Sequence, residues 1–135
     1  MTDVAVRWSD MDVYGHVNNA RVVTLLEEAR TELLFSEGAR LGAQALARGV
    51  VVVELMVRYR QPLVYSAKPV QVRLWVSELR AASFALAYVV AGTDGDAVTA
   101  TTKIAPYDTA LRRPRRLMRA EQEFLAAFRD DADSG

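Results

Sequence analysis

Asp10-Met11-Asp12-Val13-Tyr14-Gly15-His16-Val17-Asn18-Asn19 runs directly into Ala20 to Phe35, and the reading of this stretch decides the fold. Two carboxylates, the only histidine and two amides fall within ten residues. Behind them Val22, Leu25, Leu26, Ala29 and Leu33 recur with a 3.6-residue period, while Arg21, Glu27, Glu28, Arg30 and Glu32 take the other positions. That is the pattern of a helix laid on a core, reaching about Phe35 and stopping near Gly38.

Asn18 suits the N-cap, because its side-chain oxygen can accept from a free amide of the first turn. A helix start presents unpaired N–H groups and the positive end of a dipole, so it favours a negative charge or a polarised carbonyl oxygen. Asp12 lies seven positions before Asn19, near enough for the loop to fold back over the same point.

Outward from this stretch the chain is one domain's length, 135 residues, expected to be a single unit over residues 1–129 with a disordered tail at 130–135. Half the residues are hydrophobic, a quarter are charged and the formal charge is zero, so composition gives no reason to expect nucleic acid or a membrane surface as partner. With no cysteine, disulfides, thiol nucleophiles and cysteine zinc sites are excluded. Residues 1–8 alternate as a strand rather than forming a secretory h-region, and no apolar run approaches bilayer length, so a cytoplasmic location is expected.

After Gly49 the period changes from 3.6 to 2. Leu55, Val57 and Tyr59 form one predicted core face, Val70, Val72, Leu74 and Val76 a second, and Phe84, Leu86, Tyr88 and Val90 a third. A turn at Gly92 to Asp96 leads to a last strand expected to end before Pro106. A short helix or helical turn is expected over Ala39 to Arg48, and a C-terminal helix from the spacing of Leu117, Glu121, Phe124, Leu125 and Phe128. One strand, a long helix and four antiparallel strands make an α+β layer in which the sheet covers the helix. Met56, Trp75 and Val89 remain on the outward face, more apolar surface than a monomer usually shows, which predicts an oligomer.

The run from Asp10 to Arg21, with Leu25-Leu26-Glu27-Glu28-Ala29-Arg30 behind it, resembles the signature of hotdog-fold thioesterases of the 4-hydroxybenzoyl-CoA thioesterase family, most closely its acyl-CoA thioesterase branch. Val50 to Pro62, ending Tyr59-Arg60-Gln61-Pro62, is similar to that family's second strand. The resemblance implies a hotdog fold, an antiparallel sheet of about five strands wrapped around a long central helix. It also implies hydrolysis of acyl-CoA to free acid and CoA without a cofactor, by a homodimer or homotetramer whose site lies between subunits.

On this resemblance Asp12 is the catalytic carboxylate, acting on the thioester directly or through water, and the backbone N–H at Asn19 polarises the carbonyl. His16 follows Gly15 in the motif and would orient Asp12, the carbonyl or the loop. Tyr14 would line the acyl or pantetheine path. Plant acyl-ACP thioesterases carry an Asn where Tyr14 stands, so their Asp/Asn/His constellation does not transfer. Asn18, Arg58, Tyr59 and Arg60 are further substrate-binding candidates, since guanidinium groups pair well with the phosphates of CoA. The cluster Arg112, Arg113, Arg115, Arg116 and Arg119 offers the same chemistry or simply a solvated face, because 15 of the 17 basic residues are Arg. Val23, Met56, Tyr59 and Trp75 are candidates for the acyl lining.

Asp10, Asp12 and His16 alternate in the way metal ligands do on an extended segment, but without a third spaced element the pattern is weak and no metal is expected. Serine-hydrolase elbows, phosphate loops and dinucleotide fingerprints are absent from the sequence. Two rival readings remain: a hotdog enoyl-CoA hydratase or dehydratase, and a non-catalytic acyl-CoA-binding module. Hydratases of this fold resemble Asp-x-Asn-Pro-x-His, five positions from Asp to His, against four from Asp12 to His16 and no Pro here.

Overall fold

The computed structural model describes residues 2–4, 19–37, 46, 49–63, 70–92 and 95–129. Strands β1 (Thr2–Val4), β2 (Val50–Tyr59), β3 (Val70–Leu79), β4 (Phe84–Gly92) and β5 (Gly95–Asp108) form an antiparallel sheet in the order β1-β3-β4-β5-β2. A two-residue β6 (Arg113–Pro114) pairs with the end of β5. Helix α1 (Asn19–Thr31) packs on one face, and helix α2 (Arg119–Ala126) follows β6. This is the α+β hotdog arrangement that the sequence predicts.

The helical stripe folds as its period dictates: Val22, Leu25, Leu26, Ala29 and Leu33 are all buried. They meet Val72, Val76, Phe84, Leu86, Tyr88, Val90, Val98 and Ile104 in a single core. Each such side chain contributes about 1.5–3 kcal/mol through burial. The helix itself is shorter than predicted. It is α-helical for 13 residues, and a π-helical turn (Glu32–Glu37) takes over where α-helix to Phe35 is expected. The wider turn puts the adjacent Leu33 and Leu34 both in the core, which a regular 3.6-residue step does less well.

Two strand expectations are corrected. β5 does not stop before Pro106; it runs through it to Asp108. The Tyr107 N–H donates to the Gly49 carbonyl at 2.9 Å, so by antiparallel alternation the Pro106 nitrogen points away from β2, to the side where β4 has yet to begin. Among the described residues only β6 pairs there, and the Arg115 N–H donates to the Pro106 carbonyl at 3.2 Å. Gly49 is required at this crossing, because a Cβ on it would stand 2.5 Å from the Tyr107 oxygen.

The second correction concerns β2. Leu55 and Tyr59 are both 42% exposed and only Val57 packs against the core. β2 is the outermost strand, and α1 lies over the opposite side of the sheet, against β1 and β3. The alternation that the sequence shows is present, but nothing within the described residues covers its inner face.

The C-terminal segment is held in shape by an ion pair and meets β3 where the Val76 N–H donates to the Phe128 carbonyl. Glu121, with 0% exposure, takes two bonds from the Arg115 guanidinium at 2.7 Å each and a third from the Met118 N–H at 2.7 Å. Met118 has no oxygen to cap the helix, so only this return half of a capping box forms. The fork geometry holds the Arg115 guanidinium above its ordinary pKa. Phe124 and Leu125 are buried, and Phe128 meets Phe124 edge to face at 5.2 Å. The predicted helix over Ala39 to Arg48 lies outside the described residues except for Leu46, which is buried.

Candidate active site

α1 begins at Asn19, so the first-turn amides open where the sequence indicates. They are the one part of the expected catalytic machinery that the described residues contain; of the binding candidates, Arg58, Tyr59 and Arg60 are described too. Asp12, Tyr14, His16 and Asn18 lie outside the described residues, as does the Asn19 side chain. Asp10 and the metal-ligand reading built on it lie outside them too. Among the described residues no group of three or more His, Cys, Asp or Glu could hold a metal.

The binding candidates on β2 separate. Arg58 pairs with Thr99 and Tyr59 with Val98, and successive strand residues point to opposite faces. Tyr59 therefore shares the side of Val98 and the core, while Arg58 shares the outer side of Thr99 and Thr101. Just beyond, the N–H groups of Arg60 and Gln61 both donate to the Ala97 carbonyl, at 2.8 and 3.1 Å, which ends the strand. Arg58 and Tyr59 thus address two different surfaces rather than one ligand atom.

The proposed acyl lining divides in the same way. Met56 and Trp75 flank an open depression of about 260 Å³ on the outer face, together with Arg58, Val89, Thr99 and Thr101. The Arg73 guanidinium lies 4.7 Å from the centre of the Trp75 ring. Val23 is on α1, across the sheet. These four residues do not build one pocket within a protomer. A second groove, about 290 Å³, follows the exposed side of α1 and is lined by Thr24, Glu27, Glu28, Thr31, Glu32 and Phe35.

Sequence reasoning missed one polar feature of the core. Tyr88 and Thr102, each 1% exposed, join their hydroxyls at 2.7 Å under the helix. Burial raises the Tyr88 pKa above its ordinary value, and the Thr102 hydroxyl and the Arg30 charge only partly offset this. The signal available was a threonine on the buried side of β5, opposite Leu86 and Leu55.

The profile of the Thioesterase-like superfamily matches residues 6–128. The long-chain acyl-CoA thioesterase FadM of Escherichia coli is 42% identical over 65 residues, a match spanning 48% of this chain and 49% of that protein. A thioesterase of Thermus thermophilus, solved in complex with coenzyme A and zinc, superposes with a TM-score of 0.77 at 25% identity, covering 94% of this chain and 92% of that one. The probable thioesterase YbaW of Escherichia coli gives 0.76 at 28% identity, covering 96% and 98%. With the profile spanning nearly the whole chain and the fold superposing on solved thioesterases over 94–96% of its length, the chain belongs to the thioesterase-like superfamily and has its hotdog fold.

Proposed function

We propose that the protein is an acyl-CoA thioesterase of the cytoplasm, releasing free carboxylic acid and CoA. The observation that carries this reading is the family match over residues 6–128, joined by a coenzyme A complex in a relative that aligns over almost the entire chain. In the mechanism, Asp12 supplies the nucleophile or the general base, and a first-turn N–H of α1 at Asn19 donates a hydrogen bond that stabilises the charge developing on the carbonyl oxygen. His16 orients Asp12 or the carbonyl. Tyr14, Asn18 and Tyr59 line the substrate path, and Arg58 and Arg60 pair with CoA phosphates. The reaction needs no metal, so activity is expected to survive EDTA.

The working unit is a homodimer joined through the open edge of β2. That edge is ten residues long and carries exposed Val51, Val53, Leu55 and Met56. Pairing by a two-fold axis places two β2 strands antiparallel and extends the sheet across both chains. Each protomer's uncovered inner face of β2 then lies against its partner, where a site shared between subunits can close.

The test is a panel of acyl-CoAs assayed for thiol release, with Asp12→Ala and Asn19→Ala in parallel. Asp12→Ala is expected to lower kcat by about 10²–10⁴-fold. Asn19→Ala should be much milder, because a backbone donor survives a side-chain change. Unchanged turnover in Asp12→Ala would remove the carboxylate from the mechanism, and no thiol release with any acyl-CoA would leave a binding module.

A further inference from the structure

The formal charge of zero conceals a strongly polarised segment. Residues 106–120 carry five arginines and one acid, Asp108. Asp108 is committed to the turn after β5, its Oδ1 accepting from the N–H groups of Ala110 and Leu111 at 3.0 and 2.9 Å. Arg115 is committed to Glu121, and Arg119 has Glu123 at 3.2 Å. Arg112, Arg113 and Arg116 remain exposed, with no side-chain partner among the described residues.

The same segment breaks the apolar pattern. Of the large hydrophobic side chains exposed among the described residues, those outside β2 are Phe35, Leu111 at 59% and Met118 at 51%. Leu111 stands at the apex of the β5–β6 turn with Arg112 beside it. Arg112 holds a left-handed backbone, φ 53°, in which L side chains are disfavoured. The Asp108 cap on one side and the β6 pairing on the other fix that conformation, so the apex is presented outward in one shape.

We propose that this turn docks the protein reversibly onto an anionic phospholipid surface, with Leu111 entering the headgroup layer and Arg112, Arg113 and Arg116 pairing with lipid phosphates. The guanidinium fork matches phosphate oxygens. An exposed apolar residue followed in sequence by exposed cations is the composition that binds an anionic interface. The charge pattern favours a bilayer over a protein partner, since this exposed four-residue turn carries one large apolar side chain among like charges, and lipid headgroups can rearrange around such a turn. The assignment does not rest on the thioesterase reading, because the mechanism proposed above uses none of these residues, and the alternative use of the arginines on CoA phosphates is separated by the KM arm of the experiment.

The experiment is co-sedimentation of the full chain with phosphatidylglycerol or phosphatidylcholine vesicles at two salt concentrations. Binding is expected to phosphatidylglycerol alone and to weaken with salt. The triple variant Arg112→Gln/Arg113→Gln/Arg116→Gln should bind about 100-fold more weakly. Leu111→Ser should bind several-fold more weakly, with both variants melting like the parent and turning over a short, soluble acyl-CoA at the parental KM. Equal binding to both lipids, or an unaffected triple variant, overturns the proposal. So does a triple variant whose KM for soluble acyl-CoA rises, which assigns the arginines to CoA phosphates, and so does capture of polyglutamate in place of vesicles, which assigns them to an acidic protein.

Discussion

The two outer edges of the sheet are built in opposite ways. On the β3 side, β1 pairs with Val70 to Val72, and further along the Val76 N–H donates to the Phe128 carbonyl at 2.9 Å, with Val76 and Arg129 forming a parallel bridge. Two segments distant in sequence thus close one edge. On the β2 side no described residue pairs, and the apolar side chains Val51, Val53, Leu55 and Met56 are left exposed there. A long, apolar, unguarded edge invites pairing with another chain. The contrast teaches that this fold protects one edge with its own C-terminal segment and leaves the other unpaired among the described residues; in the dimer proposed above, edge pairing would therefore stop at two chains.

The largest expected effect comes from opening the closed edge. Glu121→Ala leaves Arg115 half-buried without its carboxylate and the Met118 N–H without its acceptor. Loss of one member of a buried pair costs about 3–5 kcal/mol. Urea denaturation should show that loss, and Glu121→Gln, which keeps an acceptor, should show less. If both variants unfold at the parental midpoint, the C-terminal closure is not what stabilises the β3 side.

The open edge is tested by blocking it. Because the Arg60 N–H faces Ala97 of β5, alternation turns the backbone groups of Leu55, Val57 and Tyr59 toward the free side. Leu55→Pro therefore removes a donor from the free edge while sparing the β5 ladder. In a two-fold pair the loss occurs twice, each time stranding an acceptor. Association should weaken by about 100-fold or more. Sedimentation at micromolar concentration then reads a monomer, and a dimer that persists at parental strength would move the interface elsewhere, for instance to the outer depression beside Trp75.

The difference between the edges was only half legible in the sequence. Period alone placed Val22, Leu25, Leu26, Ala29 and Leu33 in the core, and period 2 placed Val72, Val76, Leu86, Tyr88 and Val90 there, since these elements are covered by their own chain. The same period in Leu55, Val57 and Tyr59 suggested a core face that the monomer does not cover, because alternation records what a face prefers and not which chain covers it. Pro106 was read as a stop because proline removes a donor; the antiparallel register, invisible in sequence, directs that missing donor away from β2. For the site the balance is reversed. The chemistry proposed above is concentrated in Asp12 to Asn19, where residue identity and order carry the proposal. The separation of Arg58 from Tyr59 needed only strand alternation and was open to sequence reading.

The smallest effect serves as a control on both edges, because Tyr88 sits on the central strand and touches neither. Tyr88→Phe removes the 2.7 Å bond to Thr102 and should cost about 1 kcal/mol without altering the oligomeric state. Its pH dependence has a definite sign. Burial raises the pKa of Tyr88 in the folded chain above the ordinary value of 10.0, so between the unfolded and folded values the native state holds a proton that the unfolded state has released. The stabilisation linked to this proton is fully present below about pH 10 and falls as pH climbs beyond it toward the raised folded value. The parent should therefore lose stability above about pH 10 more steeply than Tyr88→Phe, the two curves converging as the hydroxyl ionises. Parallel curves across that range would mean that the Tyr88 hydroxyl reaches water in the folded state, and the core beneath α1 would then be less closed than its packing indicates.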